Sequence, residues 1–119
     1  MPELFIQIPK DDQLRALGAG LVAVYKLIES YTGAPILTDS RKFITVTEPE
    51  LIAYLRQNPG ISERHVMPEA SLASMHDLPA LYEKGAQWAV CWTEHGRKAN
   101  ERTYQSLEEA AASYLMAYW

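Results

Sequence analysis

A single cysteine, Cys91, stands among 119 residues, so no internal disulfide can form. The fold must rest on packing and hydrogen bonds. No apolar run approaches the roughly 20 residues that a bilayer-spanning helix needs. The opening Met1-Pro2-Glu3-Leu4 places an acid where a secretory signal carries basic side chains, and no apolar core of signal length follows. These absences point to a reducing, cytoplasmic setting with no membrane partner. A basic excess is also missing. Residues 1–60 hold six basic and seven acidic side chains, and residues 61–119 hold five and eight, for a net charge of −4. Phosphate contacts supply most of the affinity of nucleic-acid binders, so this balance disfavours a nucleic-acid partner and suits a basic one.

Motifs that carry chemistry are absent too. There is no His-Glu-x-x-His pattern, Cys-x-x-Cys pair or glycine-rich phosphate loop. Gly18-Ala19-Gly20 lies inside a helical pattern and follows no strand, so it is not a dinucleotide fingerprint. His65, His76 and His95 are far apart in sequence. His65 and His76, with Asp77 or Glu69, are the only metal candidates, and their eleven-residue separation matches no standard ligand spacing. Cys91 lies between Val90 and Trp92 in a strand pattern, the position of an inert core thiol. A nucleophile served by His95 is the competing reading. No catalytic residue, metal or cofactor is assigned from the sequence.

What the chain does have is the content of one α+β domain spanning residues 1–119: 48% hydrophobic and 22% charged residues, close to globular averages. Leu4, Ile6 and Ile8 alternate as in a strand that Pro9 ends. Asp11 or Asp12 can cap a helix whose apolar face, Leu14, Leu17, Leu21, Val24, Tyr25 and Ile28, runs to about Ser30. A strand is expected over Lys42–Val46. Thr47-Glu48-Pro49-Glu50 reads as a capping box, opening a helix with Leu51, Ile52 and Leu55 inward. Ile61–Val66 is compatible with a strand. Beyond it, Pro68 and Pro79 divide short helical pieces with Leu72, Met75, Leu78 and Leu81 as core, and Gly85 reads as a helix stop. Trp88, Val90 and Trp92 alternate as a strand. Residues 95–100 form a polar turn or loop, and Arg102–Gln105 returns as the partner strand. Ser106-Leu107-Glu108-Glu109 is a second capping box before a final helix carrying Ala110, Ala111, Tyr114, Leu115 and Tyr118. The expected architecture is an antiparallel or mixed sheet of about four strands, with helices mainly on one face and a C-terminal ββα unit.

The run Lys84-Gly85-Ala86-Gln87-Trp88-Ala89-Val90-Cys91-Trp92, a glycine-containing turn, and Arg102-Thr103-Tyr104-Gln105-Ser106-Leu107-Glu108-Glu109-Ala110-Ala111 together resemble the ββα unit of arm-type DNA-binding domains of phage integrases and similar small modules. The likeness covers about a third of the chain. It implies a sheet that enters the major groove, with Arg97, Lys98 and Arg102 as its cations. Here Glu94 and Glu101 oppose them, which departs from that pattern.

Seven of the twelve aromatic residues lie within residues 82–119. Aromatic side chains dominate binding hot spots. The favoured expectation is a small bacterial protein-binding module, an immunity-type inhibitor of a toxin or defence enzyme. Its acidic, aromatic surface would include Tyr118, Trp119, Glu94 and Glu101, and its partner would be a basic toxin or nuclease. Two alternatives stand beside it: a nucleic-acid-binding hairpin using Arg97, Lys98 and Arg102, and a small enzyme or ligand-binding domain whose site assembles only on folding. The oligomeric state is left open.

Overall fold

The structure is a computed structural model that describes residues 7–33, 40–117 and 119. The expected strand over Leu4–Ile8 lies mostly outside these residues, and Gln7 and Ile8 are irregular. The first helical pattern holds but breaks at Gly20. Helix α1 spans Lys10–Ala19 and α2 spans Leu21–Thr32. Gly20, at φ 120°, sits in a conformation closed to other residues and turns the chain between them. Pro9 takes the N-cap position of α1, which leaves Asp11 and Asp12 in the first turn, where acids complement the helix dipole.

The strand expected over Lys42–Val46 is absent. A 3-10 turn, Ser40–Phe43, is followed by irregular chain. The reason is Gln13, a fully buried polar side chain on α1. Its Oε1 accepts from the amides of Thr45 (2.8 Å) and Val46 (3.2 Å), and its Nε2 donates to the Ile8 carbonyl (2.7 Å) and Thr45 Oγ1 (2.9 Å). One side chain thus satisfies the backbone groups that a neighbouring strand would otherwise engage. Thr47 then opens α3, Glu48–Gln57, with both arms of the expected capping box formed, and Leu51 and Leu55 are buried. Residues expected as a possible strand at 61–66 instead form a second 3-10 turn, Ser62–His65.

A short 3-10 strap, Glu69–Ser74, precedes the sheet. Strand β1 (Pro79–Lys84) pairs antiparallel with β2 (Gln87–Glu94), which pairs antiparallel with β3 (Arg97–Tyr104). Among the described residues the sheet therefore has three strands, where about four were expected, and a third strand precedes the hairpin. The misreading lies at 79–85. Leu81 belongs to a strand, not to a helical piece, and Leu78 is 45% exposed instead of core. Gly85, at φ 62°, opens the two-residue β1–β2 turn. The expected loop at 95–100 shrinks to His95-Gly96, both at positive φ, and Arg97–Asn100 are strand.

Helix α4, Leu107–Leu115, is capped by Ser106, whose Oγ accepts from the amide of Glu109 at 3.2 Å. It packs on the sheet face that carries Leu81 and Val90. There Ala110, Ala111, Ala112 and Leu115 join Leu17, Val24, Ile28, Leu51 and Leu55 in the main core. The opposite sheet face, Ala80, Tyr82, Ala89 and Cys91, is closed by Leu72 of the strap. The α+β class is as expected.

Candidate functional site

A β-bulge determines what β3 presents. Val90 pairs with Arg102 but Trp92 pairs with Ala99, so Asn100 and Glu101 together oppose Cys91. Asn100 takes the left-handed conformation, φ 55°, which asparagine tolerates better than most residues. Directly paired residues share a sheet face. Arg97, Ala99 and Arg102 therefore lie with Glu94, Trp92 and Val90 on the helix side. Lys98, paired with Thr93, lies on the strap side. The extra residue also lets Lys98 and Glu101, three apart, meet on one face at 3.4 Å.

On the strap side the charges are tied to one another. Glu101 accepts from the Tyr82 hydroxyl and from Lys84, and Lys98 bonds to Glu69. The Lys98 ammonium lies 4.7 Å from the Tyr82 ring centroid. Hydrogen bonds from Lys84 and then Tyr82 hold the Glu101 carboxyl down at about 2. Burial, followed by the bond to Glu101, pushes the Tyr82 phenol up. Burial pushes the Cys91 thiol up as well. A thiol raised in this way is a poor nucleophile. His95 does not serve it: that ring stacks on His76, at a centroid distance of 4.0 Å.

The helix side offers a different surface. Between β2–β3 and the end of α4 lies a cleft of about 300 Å³, with Trp92, Val90, Asn100 and Arg102 on one side and Ser113 and Ala117 on the other. Ser113 is held there by the Tyr104 hydroxyl, which donates to its Oγ at 3.0 Å. Trp92 is half-buried and Arg102 exposed. Glu94 and Arg97, also exposed, pair across the hairpin end. An indole flanked by a guanidinium and an amide can seat an apolar group and fix its orientation through polar contacts.

The residues singled out from the sequence are not gathered in one place. Trp119 packs inward, edge-on to Tyr25 of α2 at 5.6 Å and 65°, with a buried Nε1 that has no partner. Tyr118 lies outside the described residues. Glu101 is enclosed by its three partners, and Glu94 alone of the acidic candidates sits at the open surface. Of the cations, Lys98 is neutralised, whereas Arg97 and Arg102 face outward. Trp92 carries the cleft; the sequence places it in a strand and among the seven aromatic residues of 82–119, but does not single it out as a binding residue. Its signal is its place three residues before the hairpin turn, where an Ala-rich final helix offers only small side chains to cover it. His65 is apart from His76: its Nε2 bonds to the Gly18 carbonyl at 2.7 Å, and its ring lies against Tyr114. Among the described residues no group of three or more His, Cys, Asp and Glu side chains is placed to hold a metal ion, and no helix is long and apolar enough to cross a membrane. Comparison with known protein families, with curated proteins and with solved structures finds no match for this chain.

Proposed function

We propose that this chain is a protein-binding module of the immunity kind, which inhibits a toxin or defence enzyme by covering it and performs no chemistry of its own. The observation that carries this reading is the cleft beside α4, where half-buried Trp92 is framed by Arg102 and Asn100. Tryptophan and arginine are the residues most enriched at binding hot spots, and a partly desolvated position is where they act. The net charge of −4 speeds association with a basic partner such as a nuclease. Of the four residues expected at the contact surface, this reading keeps Glu94, at the end of β2 beside the cleft, and does not rely on Trp119, which packs against Tyr25, or on Glu101, which is held by Tyr82, Lys84 and Lys98.

Nucleic-acid binding is the weaker reading. Each phosphate contact needs a free cation, and the helix side of the hairpin sets only Arg97 and Arg102 against Glu94. Capture from nuclease-treated lysate of the source cells tests the choice, with wild-type and Trp92→Ala protein as parallel baits. The proposal expects a protein retained by the wild type and lost from the variant. Binding that disappears with nuclease, or with Arg97→Ala alone, would reverse it.

A further inference from the structure

The strap and the hairpin meet at two imidazoles. His76 follows the strap and His95 opens the β2–β3 turn. Their rings stack with planes 23° from parallel. The backbone N–H of His95 donates to His76 Nδ1 at 2.9 Å, and His76 Nε2 lies 3.1 Å from Asp77 Oδ2. Nδ1 is therefore the lone-pair nitrogen, and Nε2 carries the proton toward Asp77. Around this bridge the Gly96 amide donates to the Met75 carbonyl and the Asp77 amide to the Thr93 carbonyl, both at 2.8 Å.

We infer that His76 is a proton-operated clasp: neutral, it accepts the His95 amide and adds a tie between the strap and the hairpin tip, and charged, it gives up that one tie while the neighbouring backbone bonds remain. A doubly protonated imidazole has no acceptor, so the His95 amide would face an N–H in place of a lone pair. Asp77 still accepts from the charged ring and keeps it on the strap side. The other charged groups around the junction are Glu69 on the strap, held by Lys98 of β3, and Glu94 and Arg97 on the two sides of the turn. Imidazoles as a class change charge between pH 5 and 8, so the clasp responds to mild acid. It does not depend on what the Trp92 cleft binds.

Amide hydrogen exchange by NMR at pH 7.5 and pH 5.0, corrected for the intrinsic rate, tests it. The protection of the His95 amide should fall at least threefold at the lower pH, while that of Leu55 in α3 stays level. His76→Phe keeps a ring without an acceptor, and its His95 amide should be weakly protected at both pH values. Should that variant not fold, His76→Gln retains an acceptor that does not titrate, and protection should persist at both. Equal wild-type protection at the two pH values, or a fall that survives in either His76 variant, would overturn the clasp.

Discussion

Glu101 binds Tyr82, Lys84 and Lys98 at once, so its removal should loosen both the strap and the β3 edge. Hydrogen bonds to charged groups contribute about 1.5–3 kcal/mol each where they are shielded. Glu101→Gln should therefore cost about 2 kcal/mol by urea denaturation at pH 7. The folded carboxyl sits at about 2, below its ordinary 4.5. A depressed carboxyl stabilises the fold above its unfolded value and loses that contribution as pH falls toward the folded one. Stability should then drop between about pH 4.5 and 2, and the Gln variant should show a smaller drop. Glu50 titrates in the same window, lowered to about 2 by the Thr47 amide and then Lys10, so the variant's acid sensitivity shrinks without vanishing. Cys91 provides a contrasting expectation. Its buried, raised thiol should resist alkylation at pH 7.5 until the protein unfolds. Cys91→Ala should cost on the order of 1–2 kcal/mol and leave binding intact.

At the scale of elements, two turn glycines separate conformation from crowding. A Cβ at Gly96 would meet the Ala73 carbonyl oxygen at 2.5 Å, whereas one at Gly85 would meet nothing within 4 Å, and both residues have positive φ. Gly85→Ala should cost about 1–2 kcal/mol for the left-handed conformation alone. Gly96→Ala should cost more, because strap backbone must also move, and the two midpoints in a paired urea titration should differ accordingly. The same elements show what was legible in the sequence. Periodicity and capping chemistry located α3, β2 and α4, because Thr47, Ser106 and the Trp88-Val90-Trp92 alternation act through neighbours within four residues. Gln13 was opaque: its partners at Thr45 and Val46 are over 30 residues away, and nothing local marks a glutamine as buried. The β3 start was missed because the bulge at Asn100 breaks the two-residue period. At β1, the run Pro79–Leu81 is short and uninterrupted by polar residues, so helix and strand patterns fit it equally.

For the whole molecule, the final residue and α2 belong to one packing unit, since Trp119 rests against Tyr25 and the main core. Trp119→Ala should lower stability by about 2 kcal/mol, as loss of a half-buried aromatic does, with little change in affinity once folding is matched. The candidate site was only partly legible. Charge and aromatic content pointed to the C-terminal half, yet which aromatics face outward depends on where α4 ends over the sheet. The most direct measurement of the central claim is the affinity of the captured protein for wild-type and Trp92→Ala chains, by titration calorimetry on nuclease-treated samples. The account predicts a loss of at least tenfold, about 1.4 kcal/mol, in a variant that still folds. An unchanged affinity for Trp92→Ala, with loss in Trp119→Ala instead, would contradict the placement of the binding surface at the cleft.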